Sequence, residues 1–105
     1  MKAIEVRVPH AIGADEARRR LDAAVTRARQ EYAASVGEID ATWEGDNRLR
    51  VLVTTSGMRF DGTVDVLVEE LVVNLRVPGM AALFSSRIRE GIEERLGGLL
   101  GSQQA

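Results

Sequence analysis

The chain has 105 residues, 45% apolar and 29% charged, with a net charge of −2 and no cysteine. That length supports one modest core, and the lack of cysteine excludes disulfides, thiolate metal sites and cysteine catalysis. A pI near 5.4 argues against nucleic acid as the main partner.

Nearly all the cations are arginine, and Ala, Gly and Val are abundant, which reads as the usage of a GC-rich bacterial genome. Charges interrupt the apolar residues of Met1-Lys2-Ala3-Ile4-Glu5-Val6-Arg7, so no signal-peptide core is expected there. No apolar run approaches the roughly 20 residues of a membrane-spanning helix. A cytoplasmic address is the expectation.

Ile4, Val6 and Val8 alternate with Glu5 and Arg7, the pattern of a half-buried strand, which Pro9 ends. Gly13 is placed to cap a following helix, with Asp15 and Glu16 near its positive end. Glu16 has the spacing to reach back to that cap. Ala17, Leu21, Ala24, Val25, Ala28 and Tyr32 form an apolar stripe at three- and four-residue steps. Asp15 with Arg19, Glu16 with Arg20, and Arg18 with Asp22 are candidate pairs on the wet side. Gly37 follows the helix.

The period then changes to two. Ile39, Ala41 and Trp43 share a face that Leu49, Val51 and Val53 continue. Facing is kept only by an odd-numbered loop. A three-residue turn at Gly45-Asp46-Asn47, with Asn47 left-handed, therefore sets Trp43 against Leu49 and Glu44 against Arg48. Thr54-Thr55-Ser56-Gly57 makes the next turn. Met58, Phe60, Val64 and Val66 face inward, and Gly62 on that face predicts a bend or a closely packed helix. After a turn near Val68-Glu69-Glu70, the residues Leu71, Val73, Leu75 and Val77 complete a fifth strand. Arg50, Asp61 and Arg76 are expected in one outer row. Pro78-Gly79 breaks the sheet, and a last helix carries Ile88, Ile92, Leu96 and Leu99, with Ser85 or Ser86 as its cap. Gly97, Gly98 and Gly101 are expected to fray its end.

This order predicts an α+β domain over residues 1–101, β-α-β-β-β-β-α, with one antiparallel five-stranded sheet and two helices on one face. Residues 102–105 are expected to form a disordered tail. The order is that of the TATA-binding-protein-like fold or a short helix-grip-like fold, an analogy that carries no function.

Chemistry-bearing residues are few. His10 is the only histidine, and no neighbouring nucleophile or orienting acid marks it as a base; a structural or capping role is expected. Arg18-Arg19-Arg20 fan around a helix, so they cannot converge on one phosphate and read as a solvated face. The outer sheet face interleaves Glu5, Arg7, Glu38, Asp40, Glu44, Arg48, Arg50, Arg59, Asp61, Asp65 and Arg76. It lacks the apolar wedges and unbalanced positive charge that a DNA-gripping sheet needs. Gly97-Gly98 lies at a helix C-terminus, the wrong end for anions. No metal spacing, cofactor motif or paired-carboxylate site is present, and no catalytic, cofactor or metal residue is predicted. The interaction candidates are Met80, Leu83 and Phe84, which precede the last regular stripe, with Trp43 joining them at one edge.

Three segments carry a family resemblance: Pro9-His10-Ala11-Ile12-Gly13 running into Glu16-Ala17-Arg18; Trp43-Glu44-Gly45-Asp46; and Ile88-Arg89-Glu90-Gly91-Ile92 in the late helix. Together they resemble the polyhydroxyalkanoic acid system family, small bacterial proteins encoded near genes for polyhydroxyalkanoate storage granules. Ile12 stands where the family pattern has Leu, and Ser85-Ser86 replaces a turn with Gly and Lys. The resemblance implies a place of work and no reaction.

The expected function is a non-enzymatic accessory protein of polyhydroxyalkanoate metabolism that contacts a granule or a granule protein. The alternative is a small acyl-type ligand binder of helix-grip-like architecture, with space left by Gly62 beneath the last helix. A homodimer through a sheet edge or the outer face is a further expectation. No cofactor and no nucleic acid is expected.

Overall fold

The computed structural model describes residues 2–32, 38–55, 57–79 and 81–101. The expectations for Gly37, Ser56, Met80 and the tail 102–105 lie outside these residues, as does the side chain of Tyr32. The elements are β1 (Lys2–Pro9), α1 (Ala14–Tyr32), β2 (Glu38–Glu44), β3 (Arg48–Thr55), β4 (Met58–Val66), β5 (Glu70–Val77), a 3-10 turn (Ala81–Phe84) and α2 (Ser85–Leu100). The fold is α+β, in the order expected.

The sheet order is β1-β5-β4-β3-β2. Strands β2 to β5 form an antiparallel meander, and β1 returns antiparallel to β5, from Lys2 opposite Val77 to Pro9 opposite Glu70. Because facing alternates with every residue, one surface collects Ile4, Val6, Val8, Leu49, Val64, Val66, Leu71, Val73 and Val77. Ala17 and Leu21 of α1 and Leu100 of α2 close over them. Trp43, Val51, Phe60 and Leu75 share the same face and are half-buried.

The β2–β3 hairpin has the register predicted, Trp43 opposite Leu49 and Glu44 opposite Arg48, although a positive φ in its turn falls at Gly45 (71°). The β3–β4 hairpin differs. Thr54 and Thr55 stay in the ladder opposite Arg59 and Met58, and the chain reverses tightly at Gly57 (φ 76°). The four-residue turn expected there is shortened by two, which slides the register without exchanging faces. Arg50 consequently pairs with Thr63, and only Asp61 and Arg76 remain directly opposed. Glu70 belongs to β5 and not to the turn before it. The Leu67 amide donates to the Glu70 carbonyl at 2.9 Å.

Gly62 is explained by a strand, not by a bend or a helix. A Cβ there would lie 2.5 Å from the Asn74 carbonyl oxygen and 3.2 Å from Leu75 Cδ1. The space its missing side chain leaves is filled by β5. On the outer face Val72 is buried, although it lies between Arg7 and Asp65. That face is therefore not uniformly wet.

Helix α1 starts as expected, with the Ala17 amide donating to the Gly13 carbonyl at 3.0 Å. Only its first half enters the core: Ala17 and Leu21 are buried, whereas Ala24, Val25 and Ala28 are half-buried. Neither Ser85 nor Ser86 caps α2. Its N-cap is Phe84, which makes no side-chain capping bond. Nor does the far end fray. The helix runs through Gly97 and Gly98 to the buried Leu100, and Gly101 ends it in a left-handed conformation with its amide on the Gly98 carbonyl. Burial of Leu100 against Ala17 and Leu21 outweighs the low helix propensity of the two glycines, about 1 kcal/mol each.

Gly62→Ala is expected to lower stability by about 1–3 kcal/mol through overpacking, and Gly62→Val by more, because the obstruction is backbone. Urea denaturation of the variants checks this, and an unchanged midpoint for Gly62→Ala refutes the close approach.

Candidate interaction surface

His10 is buried in the β1–α1 connection. Its amide donates to the Glu69 carbonyl at 2.9 Å. Its Nε2 lies 3.0 Å from the Leu67 carbonyl, and its Nδ1 accepts from the Ile12 amide at 3.3 Å. These partners assign the proton to Nε2. The imidazole thus fastens the β4–β5 turn to the start of α1, the structural role expected of it, and both ring nitrogens serve main-chain groups.

The three consecutive arginines of α1 diverge as the helix requires, but they are not a plain solvated face. The Arg18 guanidinium lies 4.2 Å from the centre of the Trp43 ring, a cation–π contact. Arg20 is half-buried and reaches towards the Leu99 carbonyl of α2. Arg19 and Arg20 both bind the Glu16 carboxylate, so Glu16 pairs forward along the helix and not back to its cap. Asp22, expected to pair with Arg18, accepts from Trp43 Nε1 at 3.0 Å.

The outer sheet face is laced by ion pairs: Arg7 with Glu5 and Glu70, Arg48 with Asp65 at 2.7 Å, Arg50 with Glu44 at 2.7 Å, and Arg76 with Asp61 at 3.2 Å. Glu44 and Arg48 stand opposite each other as predicted, yet each bonds a different partner. Arg48 is directly opposed to Asp65 on the inner side of the sheet order, and Arg50 reaches Glu44 diagonally. The sheet edges carry a second use of arginine. Arg29 of α1 donates to the Ala41 carbonyl on β2 at 3.0 Å, and Arg89 of α2 donates to the Glu5 carbonyl on β1. Since β1 and β2 are the two edge strands, each helix occupies one edge carbonyl that an added strand would need.

The predicted interaction residues separate. Leu83 is 85% and Phe84 57% exposed on the 3-10 turn. Trp43 is half-buried on β2, under Arg18 and bonded to Asp22. Helix α2 packs on β1, at the other edge of the sheet, so Trp43 does not join Leu83 and Phe84. The stripe Ile88, Ile92, Leu96 and Leu99 packs against the core, with Leu96 and Leu99 also lining an open groove between the helices.

Sequence reasoning missed a second exposed apolar pair, Leu67 and Val68 (70% exposed for Val68), in the β4–β5 turn beside His10. Two adjacent aliphatics between turn acids were the available signal. It also missed an open groove of about 490 Å³ between the helices, floored by Ala24, Ala28, Leu96 and Leu99 and rimmed by Arg27 and Arg95. Only the relative placement of α1 and α2 creates it. Among the described residues no helix is long and apolar enough to cross a membrane, and no cluster of acids or histidine has the arrangement of a metal site.

Arg19, chiefly by its hydrogen bond, and then Arg20 hold the Glu16 carboxyl at about 2, below its ordinary 4.5. A depressed carboxyl stabilises the fold fully above its unfolded value and loses that contribution as pH falls through the folded one. Glu16→Gln is therefore expected to lower the melting temperature above pH 4.5, with the gap to the parent protein closing towards pH 2. Thermal melts across that range read the gap directly. A gap that does not narrow contradicts the pairing.

A family model described as polyhydroxyalkanoic acid system protein matches residues 4–100. Neither the curated proteins nor the solved structures contain a match to the chain.

Proposed function

The chain belongs to the polyhydroxyalkanoic acid system protein family, and from that premise we propose that it is an accessory protein that acts by binding. Its site of action is the surface of a polyhydroxyalkanoate granule, or a protein on that granule, in the cytoplasm. The observation that carries this reading is the pair Leu83 and Phe84. They are large apolar side chains left mostly in water on a short turn, while the helix that follows uses its apolar stripe internally. Adjacent exposed large apolar side chains of this kind mark a contact surface.

The proposed mode of action includes no catalytic step. His10 has its ring nitrogens on main-chain groups, and Glu70, Asp65, Glu44 and Asp61 of the outer face are each paired with arginine. The same pairing supports a function in which the sheet face does not grip nucleic acid, since phosphate binding draws on cations that are not already matched.

Expression in cells with and without granules tests the proposal. The protein is expected in the granule fraction when granules are present, and Leu83→Ser/Phe84→Ser is expected to shift it to the supernatant. A protein that stays wholly in the supernatant in both cell types refutes it.

The groove between α1 and α2 favours a second reading, the acyl-type ligand binder. Its floor is aliphatic, and Arg27 and Arg95 outnumber Glu31 at its rim, which suits a chain ending in a carboxylate. The space once attributed to Gly62 does not contribute, because Leu75 fills it. Under this reading, hydroxyacyl or fatty-acyl compounds raise the melting temperature in a thermal-shift panel and Leu96→Arg abolishes the shift. No response across the panel removes it.

A further inference from the structure

We propose that the molecule docks end-on to an anionic amphiphilic surface, with Leu83 and Phe84 as the inserted apolar pair and Arg87 as the cation beside them. This rests on the reading of the chain as a surface-bound accessory protein, and it supplies the chemistry of that surface.

Much of the remaining surface is already engaged. The outer sheet face is occupied by its own ion pairs. The edge strands each have a carbonyl taken by a helix arginine. The apolar stripe of α2 is packed on the core, so the helix cannot lie flat in an interface as a free amphipathic helix does.

Charge then orients the tip. From Val77 to Arg89 the chain carries two arginines and no acid. Arg87 is exposed one turn beyond Leu83 and Phe84, in a first helical turn that contains no acid. The exposed side of α2 further on carries Glu90, Glu93 and Glu94 against one arginine, Arg95, a net acidic stretch that an anionic surface repels. Attraction at the tip and repulsion along the shaft favour a perpendicular pose over a lateral one.

The other exposed apolar pair sits at the opposite end of β5, about 25 Å away along an eight-residue strand. There Val68 is followed by the exposed Glu69. That end is matched to a cationic or neutral partner, and an anionic surface selects the 3-10 turn over it. In the docked pose the His10 loop and the β4–β5 turn face outward.

Co-sedimentation of the full chain with vesicles tests this, comparing phosphatidylcholine containing phosphatidylglycerol with phosphatidylcholine alone. Binding is expected only with phosphatidylglycerol and is expected to weaken with salt. Leu83→Ser/Phe84→Ser should reduce it about tenfold or more, Arg87→Glu should weaken it, and Val68→Ser should leave it unchanged. All these side chains are exposed, and circular dichroism verifies that the variants fold.

Equal binding to both vesicle types, binding indifferent to Leu83→Ser/Phe84→Ser, or no binding overturns the inference. No vesicle binding by a protein that still sediments with granules overturns it in favour of a granule protein as partner and leaves the accessory reading standing. Vesicle binding by a protein that stays in the supernatant of granule-containing cells does the reverse. Self-association without lipid that is abolished by Leu83→Ser/Phe84→Ser, together with no vesicle binding, assigns the tip to a second copy and also overturns it.

Discussion

The pairing of β1 with β5 is the contact on which the rest of the molecule depends. It joins residues roughly 60 to 75 positions apart in the chain, so its loop-closure entropy must be met before any of its contacts form. Three of the most deeply buried side chains, Ile4, Val6 and Val8, reach the core only through it. It also creates the floor on which α2 lies and the edge whose Glu5 carbonyl Arg89 covers. At its Pro9 end it presents His10 to the β4–β5 turn. The meander β2 to β5 is built from local hairpins and needs no such closure. β1 is the strand that converts an open meander into a sheet with a covered face, and its formation is the slow, non-local part of assembly.

Arginine is the material with which the finished surface is organised. On the outer face it neutralises carboxylates across strands, where each exposed pair contributes little on its own. On α1 it stacks over Trp43 and leans towards the end of α2. At both edges it occupies a carbonyl that another strand would otherwise pair with. A guanidinium suits all these uses because it stays charged and offers several donors in a planar fork. The consequence for function is one of elimination. Trp43 and much of the outer sheet face are engaged within the molecule, and exposed apolar side chains are left at the ends of the strands.

The two ends differ in character. One has apolar side chains among arginines on an uncapped helix start. The other has apolar side chains beside acids in a turn pinned by a histidine. A molecule with such ends has a direction. Between the ends, the half-buried second half of α1 leaves a groove against α2.

Alternation of side chains was enough to determine the element order, the single antiparallel sheet, its inner face and the odd-numbered hairpin at Gly45-Asp46-Asn47, because a period of two or of 3.6 residues is a local property of the chain. The structural role of His10 was legible from the absence of a catalytic companion beside it in the sequence, although its partners Leu67 and Glu69 were not. Only the tertiary structure decided that Thr54 and Thr55 remain in the ladder, that Gly62 yields to Asn74 and Leu75, that Trp43 belongs to α1 and not to the last segment, and which acid each arginine takes. The hairpin register at Thr54 and Thr55 is local, but alternation alone cannot fix it because a slide of two residues keeps every side chain on its face; the other outcomes depend on separate segments approaching to within a few ångströms, and a pattern read along one chain contains no measure of that distance.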